Sequence, residues 1–227
     1  MPRPKLSQQI DLQQAIKDTA LSQIGENGAA SLSLRAIARA LHITAPAIYN
    51  HYPNRDDLVT SLIIDAYTSL GDGQFAALEG QPVDNHAARL RALGLAYRDW
   101  AVAYPQRYML IFGSPIPGYH CPPESSMPAA ARSLSALIDV LEAARRAEVL
   151  LPEAEPSLST ALRQQLTAWQ ALHPSADIYV LYLALVIWSR VHGLVMLEID
   201  NQYPPFVQDP GLIFRRELAM IVRQYLK

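Results

Sequence analysis

Apolar residues step along this chain by three and four, almost never by two. The clearest run is Ile178, Leu181, Leu185, Trp188, His192, Val195 and Ile199, an unbroken stripe. That period belongs to a helix, because a half-buried strand alternates. The same step recurs in Leu12, Ile16, Ala20, Ile24; in Leu34, Ile37, Ala38, Leu41; and in Leu58, Leu62, Ala66. It returns in Leu90, Leu93, Tyr97, Trp100, Tyr104, and then around Leu134–Leu141, Leu158–Trp169 and Phe214–Tyr225. No segment reads as a strand and no internal repeat is visible. The expected fold class is all-α.

Local signals punctuate these helices. Gly25 and Gly28 are expected to close the first, Ser33 to cap the second, and Asn54 to cap a fourth with Asp56 and Asp57 in its first turn. The pattern weakens across "GDGQFAALEGQP" (Gly71 to Pro82), which reads as a helix end and linker, with a boundary inside a continuing helix as the alternative. That predicts domains over 1–74 and 75–227. Pro105 breaks the Leu90–Tyr104 helix, and Tyr108, Ile111 and Phe112 mark a short one after it. Gly113 to Pro128 is proline-rich and reads as a loop; loops of that length are usually functional or mobile.

Composition narrows the function. The chain has 227 residues, is 50% hydrophobic and carries a formal net charge of −2, so any nucleic-acid binding rests on a local patch. The single cysteine, Cys121, permits no intrachain disulfide and suits a reducing compartment. "MPRPKLSQQI" lacks the apolar core of a secretory signal. The most apolar run, "IYVLYLALVIW" (Ile178 to Trp188), is too short to span a bilayer and reads as a buried helix. A cytoplasmic setting with no membrane partner is expected. No CxxC, HExxH, Gly-rich phosphate loop or G-x-S-x-G motif occurs, so no catalytic residue, metal site or cofactor is expected.

The densest information lies in "ITAPAIYNHYPNRDDL" (Ile43 to Leu58). A helix of six or seven residues is costly to nucleate, so packing or a partner must reward it. Two short helices, about Leu34 to Leu41 and Ala45 to His51, joined by "LHIT", have the spacing of a helix-turn-helix. In that unit the second helix enters the DNA major groove. Thr44 is placed to cap it or hold a phosphate, and Pro46 is tolerated in a first turn that needs no donor. Ala45, Pro46 and Ala47 form a small apolar surface suited to thymine methyls. Tyr49 and His51 are placed to donate to phosphates, with Arg55 on the same rim and Arg35 and Arg39 pointing outward. A plainer reading stays open: Tyr49 and His51 as packing residues, Arg39 as a solvated charge. Tyr52 reads as core.

"LSLRAIARALHITAPAIYNHYPNRDDLVTSLI" resembles the N-terminal DNA-binding domain of the TetR family of transcriptional regulators. The S-x-R-x-I-A start, the A-x-Y-x-H-Y recognition helix and the N-R-D-D-L cap carry the likeness. It implies that Arg35, Ala45, Pro46 and Ala47 read bases, and that Ser33, Thr44, Tyr49, His51 and Arg55 clamp phosphates. Arg3 and Lys5 would join an arm on the DNA backbone. His42 stands where the family usually has glycine; if that turn needs positive φ, histidine is a costlier occupant. Arg55 stands where the family usually has lysine.

"YPQRYMLIFGSPIPGY" with "IWSRVHGLVMLEI" resembles the WHG-type C-terminal domain of the same family, through Trp188, His192 and Gly193. It implies dimerisation and, usually, binding of a small effector. On its own residues the 3.5-period stripe suits a bundle seam, either within the chain or between two copies. A two-fold dimer would present two recognition helices to a palindromic site. Trp100, Tyr104, Tyr108, Phe112, Trp188 and His192 form a candidate ligand set, with plain core as the alternative. The reading is a ligand-responsive, sequence-specific homodimeric regulator, a repressor released from its operator by an apolar or amphipathic effector. The competing readings are an all-α small-molecule-binding protein or enzyme with an incidental helix-turn-helix, and a DNA-binding dimer without a ligand.

Overall fold

The computed structural model describes residues 6–152 and 157–227; Arg3 and Lys5 lie outside them. In chain order the helices are α1 (Leu6–Asn27), α2 (Leu34–Ala40), α3 (Ala45–Tyr49), α4 (Arg55–Glu79), α5 (His86–Ala103), α6 (Pro105–Phe112), α7 (Pro123–Arg146), α8 (Thr160–Gln170), α9 (Ile178–Ile199) and α10 (Pro210–Tyr225). Among the described residues the only strand-like pairing is an isolated antiparallel bridge between Leu150 and Leu226. The fold is all-α, as the apolar period predicts.

The chain forms two compact units. One comprises residues 1–67 with 104–129, the other 68–103 with 130–227. The chain passes between the units three times: inside α4, between α5 and α6, and inside α7, so α4 and α7 each contribute residues to both. The proline-rich segment and α6 therefore belong with the helix-turn-helix. α6 packs on α1, where Gly25 admits the Gln106 side chain at a distance of 2.9 Å from where a Cβ would stand. Gly25 is thus a packing position inside α1 and not its end. Gly28 lies just past the helix end, with φ of 77°, a conformation glycine adopts without strain.

Three other expectations change. α4 runs unbroken through Gly71 and Gly73 to Glu79, so of the two readings of that stretch the continuing helix holds and the linker does not. α7 begins at Pro123, which shortens the expected loop to 113–122. Proline at N1 gives up no intrahelical bond, and Glu124 places acid in the first turn. Pro128 then lies inside the helix. Finally, the run from Ile178 to Trp188, expected to be too short for a bilayer, is part of α9, which reaches Ile199 as its apolar stripe predicts and is by length and composition long and apolar enough to cross a membrane. Only 39% of its most apolar window is buried within the chain.

The first unit encloses Ile16, Ala20, Ile37, Ile48, Tyr52, Leu58 and Leu62. Ile48 is fully buried, so the five-residue α3 is held by its inward side chain rather than by its own hydrogen bonds. Tyr52 is core, as expected; its hydroxyl accepts from Gln13 at 3.3 Å. In the second unit α5, α9 and α10 pack together, with Leu90, Leu93, Leu181, Leu183 and Phe214 almost wholly buried.

Candidate functional site

The helix-turn-helix is built by local chemistry. Ser33 stands at the N-cap of α2 and its hydroxyl accepts from the Ala36 N–H at 3.4 Å. The turn passes through His42 at φ of 54°, so the position does require the left-handed region, and histidine occupies it. Thr44 occupies the N-cap of α3 with its backbone extended, but its side chain makes no capping bond. The expected cap is absent, and the hydroxyl is left exposed at the start of the recognition helix. Asn54 caps α4, accepting from the Asp57 N–H at 2.9 Å.

With Ile48 turned inward, α3 presents the rest of its surface outward. Pro46 is exposed, Ala45, Ala47 and His51 are half-buried, and Tyr49 is 44% exposed. That exposure removes the reading of Tyr49 as core. Arg35 and Arg39 are exposed on α2. Ser33, Arg35, Tyr49, Asn54 and Arg55 converge on one open cleft of about 370 Å³. Arg55 is anchored there: its Nη2 donates to the Ala29 carbonyl at 3.0 Å, while its Nε is buried with no partner. A guanidinium so fixed, beside hydroxyl and amide donors, is a seat for an anionic oxygen. Three of the five residues expected to clamp phosphates, Ser33, Tyr49 and Arg55, line this cleft; Thr44 stands at the N-cap of α3 and His51 just past its C-terminal end, and neither is among the lining residues. Ala45, Pro46 and Ala47 leave its N-terminal end free of bulk, able to approach base edges closely.

The six residues expected to bind a ligand are not gathered in one place. Tyr108 and Phe112 lie in the first unit, ring centroids 5.0 Å apart, and Tyr108 is fully buried. Tyr104, at the N-cap of α6, is 44% exposed with Arg107 over its ring. Trp100 belongs to the second unit, where its indole donates to the Ser69 hydroxyl at 3.0 Å. Trp188 and His192 stand together on α9, ring centroids 5.1 Å apart.

Trp188 alone of the six lines the cavity of the second unit, with Gln74, Leu93, Tyr97, Ser133 and Leu137 among its neighbours. His192 reaches it indirectly, through a 3.0 Å hydrogen bond between its Nδ1 and the Tyr97 hydroxyl. Burial lowers the His192 pKa, which keeps the ring neutral. The Ser133 hydroxyl donates to the Gln74 side-chain carbonyl, and both residues are buried. The cavity has a volume of about 30 Å³, room for roughly one water. Sequence patterns do not single out Gln74, Ser133 or Tyr97 as lining residues. Tyr97 shows in the apolar period, but Gln74 sits in a stretch whose composition reads as linker, and nothing local links it to Ser133.

The comparisons with known proteins agree with this architecture. Residues 16–62 match the family described as bacterial regulatory proteins, tetR family, and residues 90–221 match the tetracyclin repressor-like C-terminal domain. The HTH-type transcriptional regulator Rv1816 of Mycobacterium tuberculosis is 34% identical over 207 residues, covering 88% of this chain and 86% of the relative. The crystal structure of the regulatory protein SCO4313 superposes with a TM-score of 0.80 at 33% identity, covering 97% of this chain and 100% of that one. The complex of SmeT with triclosan shares the fold, with a TM-score of 0.62 at 13% identity over 95% of this chain and 91% of that one. With a helix-turn-helix at its head and a helical second unit of the matching kind, this chain belongs to the TetR family of transcriptional regulators.

Proposed function

We propose that the protein is a homodimeric repressor that holds a palindromic operator through α3 and releases it when a small apolar or amphipathic effector enters the second unit, in a cytoplasmic setting. The observation that carries the DNA-binding half is the open cleft where Ser33, Arg35, Tyr49 and Arg55 meet. Phosphate contacts of this kind fix orientation, and the small residues at the start of α3 read bases by close approach.

The dimer is supported by the outer faces of the last two helices. Leu185, Ser189, Gly193 and Leu197 recur every four residues on α9 and are exposed. A Cβ at Gly193 would meet nothing within the chain, so no intrachain contact repays its cost of about 1 kcal/mol in a helix interior. On α10, Ile213 and Met220 are exposed beside Arg216. A second copy laid across these faces buries them and sets two recognition helices about one DNA turn apart, or a little more.

The effector reading is supported by a buried polar pair, Gln74 with Ser133, in an otherwise apolar wall. Shared fold with SmeT, which is seen with triclosan, adds to it. Because the cavity holds about one water, any larger guest fits only by moving the walls contributed by α4, α5, α7, α9 and α10. Such a guest binds one arrangement of those helices better than another, which is the condition for coupling to DNA. α4 carries both Gln74 and Arg55, so one helix touches the cavity and the phosphate rim. The same small volume favours the second reading, a dimeric regulator with no effector. Calorimetry decides between them. An effector identified by screening should bind more weakly in the presence of operator; equal affinity with and without operator contradicts release.

A further inference from the structure

We propose that the first unit holds a separate binding site for a small uncharged molecule with an apolar body and one hydrogen-bonding group, in a cleft walled by α4, α6 and the 113–122 segment. The cleft has a volume of about 300 Å³, ten times that of the second unit's cavity and at the lower end of the range that holds small ligands. Its apolar wall includes Ile63 of α4, Leu110 and Ile111 of α6, and Ile116, which is buried. None of its lining residues lines the second unit's cavity, and the proposal does not depend on operator release.

The polar groups of the cleft define what it accepts. They are the phenols of Tyr67 and Tyr119, the thiol of Cys121 and the hydroxyls of Ser114 and Ser126, and no lining side chain is a cation or a carboxylate. The Tyr119 hydroxyl shares a 2.8 Å hydrogen bond with Thr60 of α4, in which either oxygen can be the donor. The Tyr67 hydroxyl reaches the Ile111 carbonyl only at 3.4 Å, a long bond that a ligand acceptor can improve upon. Burial, then contact with Cys121, pushes the Tyr119 phenol up to about 12; burial also raises Tyr67. Both phenols therefore remain neutral donors and acceptors at neutral pH. An anionic guest would lose water with no cation to meet it, and a cationic guest would find no carboxylate among the lining residues. An uncharged phenol or aryl alcohol meets hydroxyls that can turn to donate or accept, and places its ring against isoleucine, leucine and tyrosine.

The chain supplies its own reporter, since Cys121 is its single cysteine and lines the cleft. The test is the rate at which iodoacetamide alkylates Cys121 in the full-length protein, followed by mass spectrometry as 2-naphthol is added. The rate should fall hyperbolically, by about tenfold when the probe stands about tenfold above its Kd. Ser114→Trp, at an exposed position on the rim, should remove the protection without changing the thermal midpoint; Ser126→Leu provides a second filling variant. Leu137→Trp, in the second unit's cavity, should leave protection intact. No protection up to the solubility limit of 2-naphthol overturns the proposal. So does protection that persists in both filling variants, or that only Leu137→Trp abolishes.

Discussion

Around Ser33, Arg35, Tyr49 and Arg55 the first unit keeps polar side chains on an open surface; around Gln74, Ser133, Tyr97 and His192 the second closes them into pairs inside an apolar wall. The contrast follows from what each must meet. A DNA backbone is large and charged, so its seat has to stand ready at the surface, where an exposed arginine costs little to keep solvated. A buried hydroxyl or amide has no water to turn to, so each must find a partner in the fold. On the proposed function the second unit therefore acts on a guest only by giving up or rearranging contacts it already makes, whereas the exposed side chains of the first lose almost nothing in waiting for DNA, although the buried Arg55 Nε stands without a partner. Even the ion pairs follow the pattern. Arg98 holds Glu198 in a two-pronged contact with both side chains about 15% exposed, while Arg35 and Arg39 stand exposed on α2.

The strongest way to break this comparison is to strip the open surface. Arg35→Ala, Tyr49→Ala and Arg55→Ala together should weaken operator binding by about a thousandfold, roughly tenfold for each side chain, with the salt slope falling by nearly one unit for every phosphate no longer neutralised. Fluorescence anisotropy at several salt concentrations measures both; binding that survives the triple substitution would return the helix-turn-helix to an incidental role. Next in size is the outer face of α9. Leu185→Asp with Leu197→Asp should convert the proposed dimer to a monomer in sedimentation and cost about a hundredfold in operator affinity, the lower range for unlinking two half-site interactions. An unchanged sedimentation coefficient would place the dimer surface elsewhere.

The closed pairs of the second unit should fail in a different manner, through stability rather than affinity. Gln74→Ala leaves the buried Ser133 hydroxyl without its acceptor, at about 1–3 kcal/mol in chemical denaturation. Adding Ser133→Ala should restore part of the loss, because the hydroxyl left unmatched is then gone. Strict additivity of the two changes would show that they are not coupled. The smallest effect concerns pH. Burial holds His192 below its ordinary value of 6.5, so the unfolded chain takes up that proton more readily than the folded one. Stability from the neutral ring is present in full above the ordinary value and is lost as pH falls below it. His192→Gln should flatten the fall in thermal midpoint between about pH 7 and about pH 5, by about 2 °C or less. A parallel curve for the variant would deny His192 any part in acid lability.

How far the sequence could be read tracks how local each feature is. Ser33 and Asn54 were legible as caps because their acceptors serve N–H groups three residues on, and the α2–α3 turn because its length and apolar faces are sequence properties. Tyr52 was legible as core from its place at the turn back to the domain. Thr44 shows the limit even of local signals: it holds the N-cap backbone conformation, yet its hydroxyl bonds nothing in the cap. Glycine misled twice, since Gly25 and Gly71 look like helix ends but admit the side chains of Gln106 and Arg132. The aromatic stripe of α5 and α6 misled for a related reason. Helical spacing puts Trp100, Tyr104, Tyr108 and Phe112 on one stripe, but does not say which interior they share: the chain enters the first unit at Tyr104, so only Trp100 lies in the second, and Tyr104 is exposed. The Gln74–Ser133 pair joins residues 59 apart, and no periodicity announces it.

The most direct test of the central claim is selection of bound duplexes from a random DNA pool by the purified full-length protein at near-physiological salt, because affinity without a stated salt concentration has no meaning. A palindromic consensus, with half-sites about one helical turn apart or slightly more, is the predicted result. Binding that yields no consensus and simply fades as salt rises would contradict sequence-specific recognition by α3 and the two-fold dimer together.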